Sequence, residues 1–487
     1  MKILFLQPLV FAPGLQTISG EADMVPGMGV LYIASIAKRF GHVAFEYVSQ
    51  YNLTEILEKH DPDVVCFSVM TTQYLSVKKL CEKIKRLNEK ITIILGGYHP
   101  SLMLDSVLDE AQVDYIVVGE GEETFSQLME YLKDGKGSPE DINGLAFKKD
   151  GKKVFTGPRK LIDKLDELPY PSWDILPKQD EVMQISTSRG CPFSCSFCSI
   201  SSFYGRRFRT RSIQSVIDEV KTYVNRGYRN IIIADDNFLT HVERVIKICR
   251  EFERLHVKFV CQGRIDVIYR KPEILKILHD AGCYVLALGL ESGIQEGLDA
   301  LNKDFTLRQV EAVARELESY PDIARVWCLM VGTGDENDTR PRIEKSINFA
   351  LSLPYDFIQL SILTPYPGTR LFDKLSAENR ILTYDWDKYD CCHCVYQPLG
   401  IAPEELESIW SEAYYRIFVN KNLFKLERLK RLNTLKNAMS ISSAQTIRFV
   451  ARFIRYLASN KNLYKLFERD RNLFEKQMKQ IYDKDNY

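Results

Sequence analysis

The chain has 487 residues, a formal net charge of zero, 45% hydrophobic residues and 27% charged residues. That length exceeds one ordinary core and implies about two to four domains, while the balanced charge excludes a general electrostatic pull toward nucleic acid. No run approaches the ~18 apolar residues of a membrane span, and the apolar stretch at residues 3–6 is too short for a leader, so a cytoplasmic protein is expected.

Short apolar strands at residues 2–6, 43–48, 63–69, 91–95 and 115–118 alternate with amphipathic helices at 29–40, 74–88 and 122–132. This alternation predicts an α/β fold that opens with a doubly wound, Rossmann-like parallel sheet over residues 1–135. Ligands of such sheets sit beyond the carboxyl ends of the strands. Those ends carry Gln7-Pro8, residues 68–72, Gly96-Gly97-Tyr98-His99-Pro100 and Gly119-Glu120-Gly121. Residues 145–155, turning at Asp150-Gly151, predict a β-hairpin, and Pro169, Pro171 and Pro177 punctuate a linker that completes residues 136–180.

Six further strands at 183–187, 230–234, 257–262, 285–290, 325–331 and 357–363, each followed by a helix, predict a partial (β/α)6 barrel over residues 181–375. Its chemistry is expected at the C-terminal strand ends. Residues 376–487 lose the alternation and predict a C-terminal helical region.

The chain has twelve cysteines. Cys66, Cys81, Cys249, Cys261, Cys283 and Cys328 lie in apolar or helical contexts and read as packing. Cys191-Pro192-Phe193-Ser194-Cys195-Ser196-Phe197-Cys198 follows directly on a strand, and this CxxxCxxC spacing lets three thiolates face one point. Iron–sulfur clusters are normally held by four thiolates, so three leave one iron open to another ligand. Zinc would need a fourth ligand that the loop lacks.

The motif, at the end of a first barrel strand, resembles that of the radical S-adenosylmethionine (SAM) superfamily. The resemblance implies a [4Fe–4S] cluster on Cys191, Cys195 and Cys198. SAM would bind the open iron through its methionine amino and carboxylate groups, and one electron would cleave it to a 5′-deoxyadenosyl radical. The resemblance also implies SAM contacts from Phe197 beside the adenine, and from Asp235, Asp236, Gln262, Arg264, Glu291 and Ser292 at successive strand ends. Thr364-Pro365-Tyr366-Pro367-Gly368-Thr369 would shape the mouth of the site.

A doubly wound domain placed before such a barrel looks like the cobalamin-binding subfamily of these enzymes. The resemblance implies cobalamin contacts at Gln7, Ser68, Thr71, Thr72, Gly96, Gly97, His99, Gly119, Glu120 and Gly121. Glycines there let the backbone approach a large flat ligand, and the helix after Gly121 offers free N–H groups. The DxHxxG motif by which other cobalamin domains ligate cobalt is absent from the chain. His99 reads as a hydrogen-bonding loop residue rather than a substitute ligand.

The expected activity is methyl transfer to an unactivated carbon of a hydrophobic substrate (a lipid, hopanoid or tetrapyrrole-like molecule) or of a secondary metabolite. A low-potential donor such as flavodoxin or ferredoxin would supply electrons. Radical ring closure or carbon–carbon bond formation is the second reading, and a non-catalytic iron–sulfur redox sensor the third. A sensor has no need of cofactor-gripping strand ends. The residues that would act directly on the substrate are not legible.

Two features stand apart. In Asp390-Cys391-Cys392-His393-Cys394 adjacent cysteines point apart, so packing or a place on the substrate-cavity wall is expected over an auxiliary cluster or zinc. Residues 416–487 carry 17 Lys/Arg against 6 Asp/Glu. A solvated helical cap over the barrel is expected there, with peripheral membrane contact as the alternative.

Overall fold

The computed structural model describes residues 1–8, 27–176, 182–336 and 338–419. The basic stretch beyond residue 419 lies outside them. Among the described residues, no helix is long and apolar enough to cross a membrane.

The first sheet contains β1 (Lys2–Pro8), β2 (His42–Val48), β3 (Val64–Ser68), β4 (Thr92–Gly96), β5 (Tyr115–Val117), β6 (Leu145–Lys149) and β7 (Lys152–Phe155). Its order is β2-β1-β3-β4-β5-β6-β7, with the first five strands parallel. The order reverses between β1 and β3, which is where doubly wound sheets open a crevice for ligands. Side chains alternate along each strand: Leu4 and Leu6 of β1 enter one apolar layer, Ile3 and Phe5 the other. Helix Tyr74–Leu87 covers the first face through Val77, Leu80, Cys81 and Ile84. Helices Met28–Ala37 and Glu122–Asp134 cover the second. Burial on both faces is why strands such as Val64-Val65-Cys66-Phe67 are continuously apolar.

The hairpin β6–β7 does not stand apart as a linker element. β6 pairs antiparallel with β5, Tyr115 opposite Phe147, and extends the first sheet beyond residue 135. Its turn has positive φ at both Asp150 (49°) and Gly151 (73°), the backbone that a two-residue hairpin requires.

After a proline-rich crossing come β8 (Val182–Ile185), β9 (Ser188–Arg189), β10 (Arg209–Thr210), β11 (Asn230–Ile233), β12 (Lys258–Gly263), β13 (Cys283–Glu291), β14 (Ala324–Val331) and β15 (Phe357–Ile362). β8 and β11 to β15 form a six-stranded, wholly parallel sheet in sequential order. Leu286, Leu288 and Leu290 of β13 meet the surrounding helices in one large core. Val285 and Ala287, alternating with them, face a small separate cluster with Ala324 and Val326 on the other side of the sheet. β9 and β10 form a short antiparallel pair beside the first barrel strand.

The segment after the barrel joins the two cores. Trp386, Tyr389 and Val395 pack into the first domain, whereas Cys392, Cys394 and Tyr396 pack into the barrel core. Helix Pro403–Val419 then lies against β15, where the Trp410 indole donates to Leu360 O at 3.1 Å.

Candidate active site

The cysteine loop leaves the end of β8 and is tied down from several sides. Asp235, just beyond β11, accepts hydrogen bonds from Thr187 N (2.6 Å), Thr187 Oγ1 (2.6 Å), Ser188 N (3.1 Å) and Ser188 Oγ (2.6 Å). Its neighbour Asp236 accepts from Gly190 N at 3.0 Å. Gly190 has φ of 82°, and a Cβ there would collide with Arg207 O, so the position tolerates only glycine. On the far side Ser196 N donates to Leu301 O, Leu371 N donates to Ser196 O, and Asn302 and Arg370 donate to Ser194 O.

Cys191, Cys195 and Cys198 are partly exposed on this loop, while eight of the other nine cysteines are buried. Among the described residues, no three His, Cys, Asp or Glu side chains converge as a ligand set for a single ion. The Cys191 and Cys195 thiols both lie near enough to Cys198 to act on it electrostatically, and in a polynuclear cluster each thiolate takes a different iron. Burial pushes the Cys198 thiol up to about 11 and raises that of Cys191. Bound iron would reverse this, because a coordinating thiol is deprotonated outright.

Cations face the loop. The Arg264 guanidinium lies 3.6 Å from the Phe193 ring centroid, and its Nη1 is 3.8 Å from Cys195 Sγ. Nε is held by Asp266 at 2.8 Å, while Nη2 is buried with no partner within the protein. A buried, unpaired donor beside the cysteines fits an anionic ligand at this point. Lys303, also buried, pairs with Glu291 at 2.9 Å and lies 5.9 Å from the Phe197 ring. Glu291 adopts φ of 62°, a strained conformation for a non-glycine residue. Ser292 is buried next to it, and Gln262 Nε2 donates to Asp235 O at 2.9 Å.

The structure therefore places Asp236, Arg264 and, through Lys303, Glu291 beside the loop that carries Phe197, while Gln262 reaches the backbone of Asp235 and Ser292 is buried one residue beyond Glu291. Asp235 requires a correction. Its carboxylate is 1% exposed and closed by four hydrogen bonds, so it anchors the loop and does not face a ligand. Lys303 was missed, because a lysine in Leu301-Asn302-Lys303-Asp304 looks like an exposed turn.

Above the first sheet opens a cavity of about 1520 Å³, including its mouth. Without the open mouth the space for water-sized occupants is about 440 Å³, within the ~300–1,000 Å³ of ordinary small-molecule pockets. Its walls include Ser68, Gly96, Gly97, Gly119, Glu120 and Gly121. Gly97 has φ of 96°, and a Cβ there would come within 2.7 Å of Val69 N; at Gly119, φ is 77° and the space is open. These two positions give the bare backbone that a flat ligand needs. Ser188 and Arg189, at the root of the cysteine loop, and Asp236, just beyond β11, line the same cavity.

Four predicted cobalamin contacts are not on its walls. Gln7 is half-buried at the end of β1, and Thr71 and Thr72 are buried in a tight turn. His99 is fully buried, with its ring 4.4 Å from that of Tyr74 and 5.0 Å from that of Trp386. Burial lowers its imidazole to about 3. Packed in this way, His99 is a core residue and is not placed to ligate cobalt. Glu120 lines the cavity but spends its carboxylate on Arg209 and Arg189. Burial raises its carboxyl, but those guanidinium groups outweigh burial and hold it below the usual range. Absent from the predicted contacts are Tyr32, Tyr98, Phe203 and Tyr204, which supply much of the aromatic wall, and Met70 beside them. The Tyr98 and Phe203 rings meet across the junction between the two domains, with centroids 4.4 Å apart and planes tilted by 41°.

A three-thiol loop at the mouth of a parallel half-barrel, sharing a cavity with a glycine-cut doubly wound sheet, defines a two-cofactor α/β enzyme. The B12 binding domain family model matches residues 22–129, and the radical SAM superfamily model matches residues 185–349. An uncharacterized methyltransferase of Pyrococcus horikoshii is 30% identical over 86% of this chain and 93% of its own length. The anaerobic magnesium-protoporphyrin IX monomethyl ester cyclase of Rubrivivax gelatinosus is 28% identical over 86% of this chain and 78% of its own. The cobalamin-dependent SAM radical enzyme OxsB, solved with aqua-cobalamin and SAM, shares the fold with a TM-score of 0.68 and 16% identity, over 99% of this chain and 80% of its own. The chain belongs to the cobalamin-binding radical SAM enzyme family. The family's cofactors are a [4Fe–4S] cluster, SAM and cobalamin.

Proposed function

We propose that this enzyme transfers a methyl group to an unactivated carbon of a hydrophobic substrate. The supporting observation is the shared cavity: the corrin-facing glycines and the root of the cysteine loop bound one space, so a substrate carbon can lie between both cofactors. Cys191, Cys195 and Cys198 would hold the cluster. Asp236, Gln262, Arg264, Glu291 and Ser292 would surround SAM, with Phe197 beside its adenine. Ser68, Gly96, Gly97, Gly119 and Gly121 would seat the corrin. With these cofactors bound, the site supplies a carbon-centred radical able to abstract hydrogen and a transferable methyl group.

The chain's own residues orient and enclose. Arg264 presents its free Nη2 where SAM's carboxylate would approach. Tyr98, Phe203 and Phe125 line the cavity with apolar surface, which would help to keep water from a radical. Electrons would come from a low-potential donor of the flavodoxin or ferredoxin type. An apolar wall suits a lipid- or tetrapyrrole-like substrate, and any membrane contact would fall to residues 420–487.

The test is anaerobic reconstitution with iron, sulfide and cobalamin, then reduction with methyl-labelled SAM and a lipid extract of the source cells. Formation of 5′-deoxyadenosine together with label in an extracted product is expected. An intact cluster without 5′-deoxyadenosine would overturn the enzymatic reading. 5′-Deoxyadenosine with an unlabelled, cyclised product would replace methyl transfer with ring closure, the reaction named for the Rubrivivax relative.

A further inference from the structure

Glu120 sits in the Gly119-Glu120-Gly121 loop on the cavity wall, yet its carboxylate points at the barrel domain. It accepts from Arg209 Nη1 (2.6 Å) and Nη2 (3.1 Å), from Arg189 Nη1 (2.9 Å) and from Ile162 N (2.8 Å). Arg189 is shared: its Nη2 donates to Glu122 Oε1 at 2.6 Å, and its guanidinium lies 4.9 Å from the Tyr32 ring centroid. The side chains of Glu120, Glu122, Arg189 and Arg209 are 3%, 6%, 12% and 6% exposed. Arg189 and Arg209 are also opposite each other in the β9–β10 pair.

Only Gly190 separates Arg189 from Cys191, and Gly190 N is itself held by Asp236. Two peptide units span at most about 7 Å, so the first cluster cysteine cannot move far independently of Arg189. The network is buried and balanced, two carboxylates against two guanidinium groups. A shift on one side cannot be made good by water, because an exposed partner would leave a buried charge unpaired.

We propose that Glu120, Glu122 and Arg189 are positioning residues that transmit the state of the corrin loop to the cluster loop, so that filling the cobalamin site tightens SAM binding. The inference rests on the cofactor assignment above but not on the reaction catalysed. By linkage the effect is reciprocal: SAM tightens cobalamin by the same factor. A rigid contact that merely glues the domains together would stabilise the fold without linking the two affinities.

The experiment measures the SAM dissociation constant by anaerobic equilibrium dialysis on cluster-loaded protein, with and without cobalamin. Wild type is expected to bind SAM about tenfold more tightly with cobalamin, a typical coupling. In Arg189→Lys, which keeps the charge but loses the planar fork, the ratio should fall to near one. The ratio is taken within each protein, against its own cobalamin-free SAM affinity at equal iron content, so a change in basal binding does not mimic a loss of coupling. Should that variant fail to load a cluster, Glu122→Gln is the milder break and should reduce the ratio partway. In wild type, adding cobalamin should slow hydrogen exchange of amides 190–198. A wild-type ratio of one, an undiminished ratio in the variant that loads its cluster, or unchanged exchange at 190–198 would each overturn the proposal. None of these readings depends on turnover, so failure of methyl transfer leaves them interpretable.

Discussion

The 191–198 loop and the 391–394 turn each offer three cysteines within a few residues, yet the structure treats them differently. The first three are partly exposed beyond a strand end, with Arg264 beside Cys195 and the root of their loop on a cavity wall. The second three are buried. Cys391 lies 3.2 Å from Tyr366 Oη, and Cys394 Sγ donates to Tyr396 O at 3.2 Å. Burial raises the Cys391 thiol and pushes Cys394 up to about 12. Cysteine number is the same in both groups; exposure, cationic neighbours and an open face distinguish them. The second group belongs to a strap that enters both cores, and its thiols are small packing groups within it.

Single substitutions separate the two roles most sharply. Cys195→Ala should remove the cluster and 5′-deoxyadenosine formation together, leaving the fold in place. Cys394→Ala should keep the iron content of wild type and cost about 1 kcal/mol of stability, the lower range for deleting a buried apolar atom. Iron assay and chemical unfolding check both. Loss of the cluster in Cys394→Ala, with folding intact, would break the comparison.

The strap reading makes its own demand. Trp386, 5% exposed, inserts between His99, Tyr384 and Tyr389, four residues before the second cysteine group begins at Asp390. Trp386→Ala should destabilise the protein by about 3–5 kcal/mol. Urea unfolding should show the first domain loosening from the barrel, while the cluster still assembles on Cys191, Cys195 and Cys198.

His99 gives the seat of that strap a pH signature. Its imidazole is neutral in the fold, with a value lowered to about 3 by burial, against about 6.5 in the unfolded chain. Below pH 6.5 the unfolded state therefore binds more protons, and stability falls as pH drops toward the folded value. Between pH 6.5 and 5 the loss should reach about 2 kcal/mol, at 1.36 kcal/mol per unit. His99→Phe, which keeps an aromatic ring against Tyr74 and Trp386, should remove that part of the acid sensitivity when unfolding is compared at pH 7.5 and 5.

Much of this is legible in the amino-acid sequence. Both parallel sheets announce themselves through short apolar runs, because strands buried on two faces leave no room for polar residues. The cysteine loop is equally plain, since its three ligands are local in sequence. What was hidden depends on long-range closure. Asp235 looks like a ligand because an acid at a strand end usually is one; Thr187 and Ser188, which occupy it, lie 48 and 47 residues earlier. Glu120 reads as a corrin contact until Arg189, 69 residues later, is seen to take its charge. The packing of Trp386 against His99, Tyr384 and Tyr389 leaves no periodicity to read. Local pattern reveals elements and cofactor motifs, while the polar pairs that lock domains together emerge only from the packed molecule.

The smallest expected effect sharpens the contrast within the strap itself. His393 Nδ1 lies 3.0 Å from Asp390 Oδ1, and that hydrogen bond raises its imidazole above the usual value despite partial burial. The sign is opposite to that of His99. The charged form is favoured in the fold, so the pair's contribution is fully present below about pH 6.5 and is lost as pH rises through the higher folded value. With the His393 side chain 42% exposed, solvent screening limits the gain to about 0.3 kcal/mol. His393→Gln should therefore be slightly less stable than wild type at pH 5.5 and indistinguishable from it at pH 9. Measured in a His99→Phe background, where the larger acid-labile contribution is gone, this stabilisation at low pH should stand out. A difference that grows toward alkaline pH would show that Asp390 does not hold the imidazolium, and that the turn carrying the buried cysteines is fixed by its backbone alone.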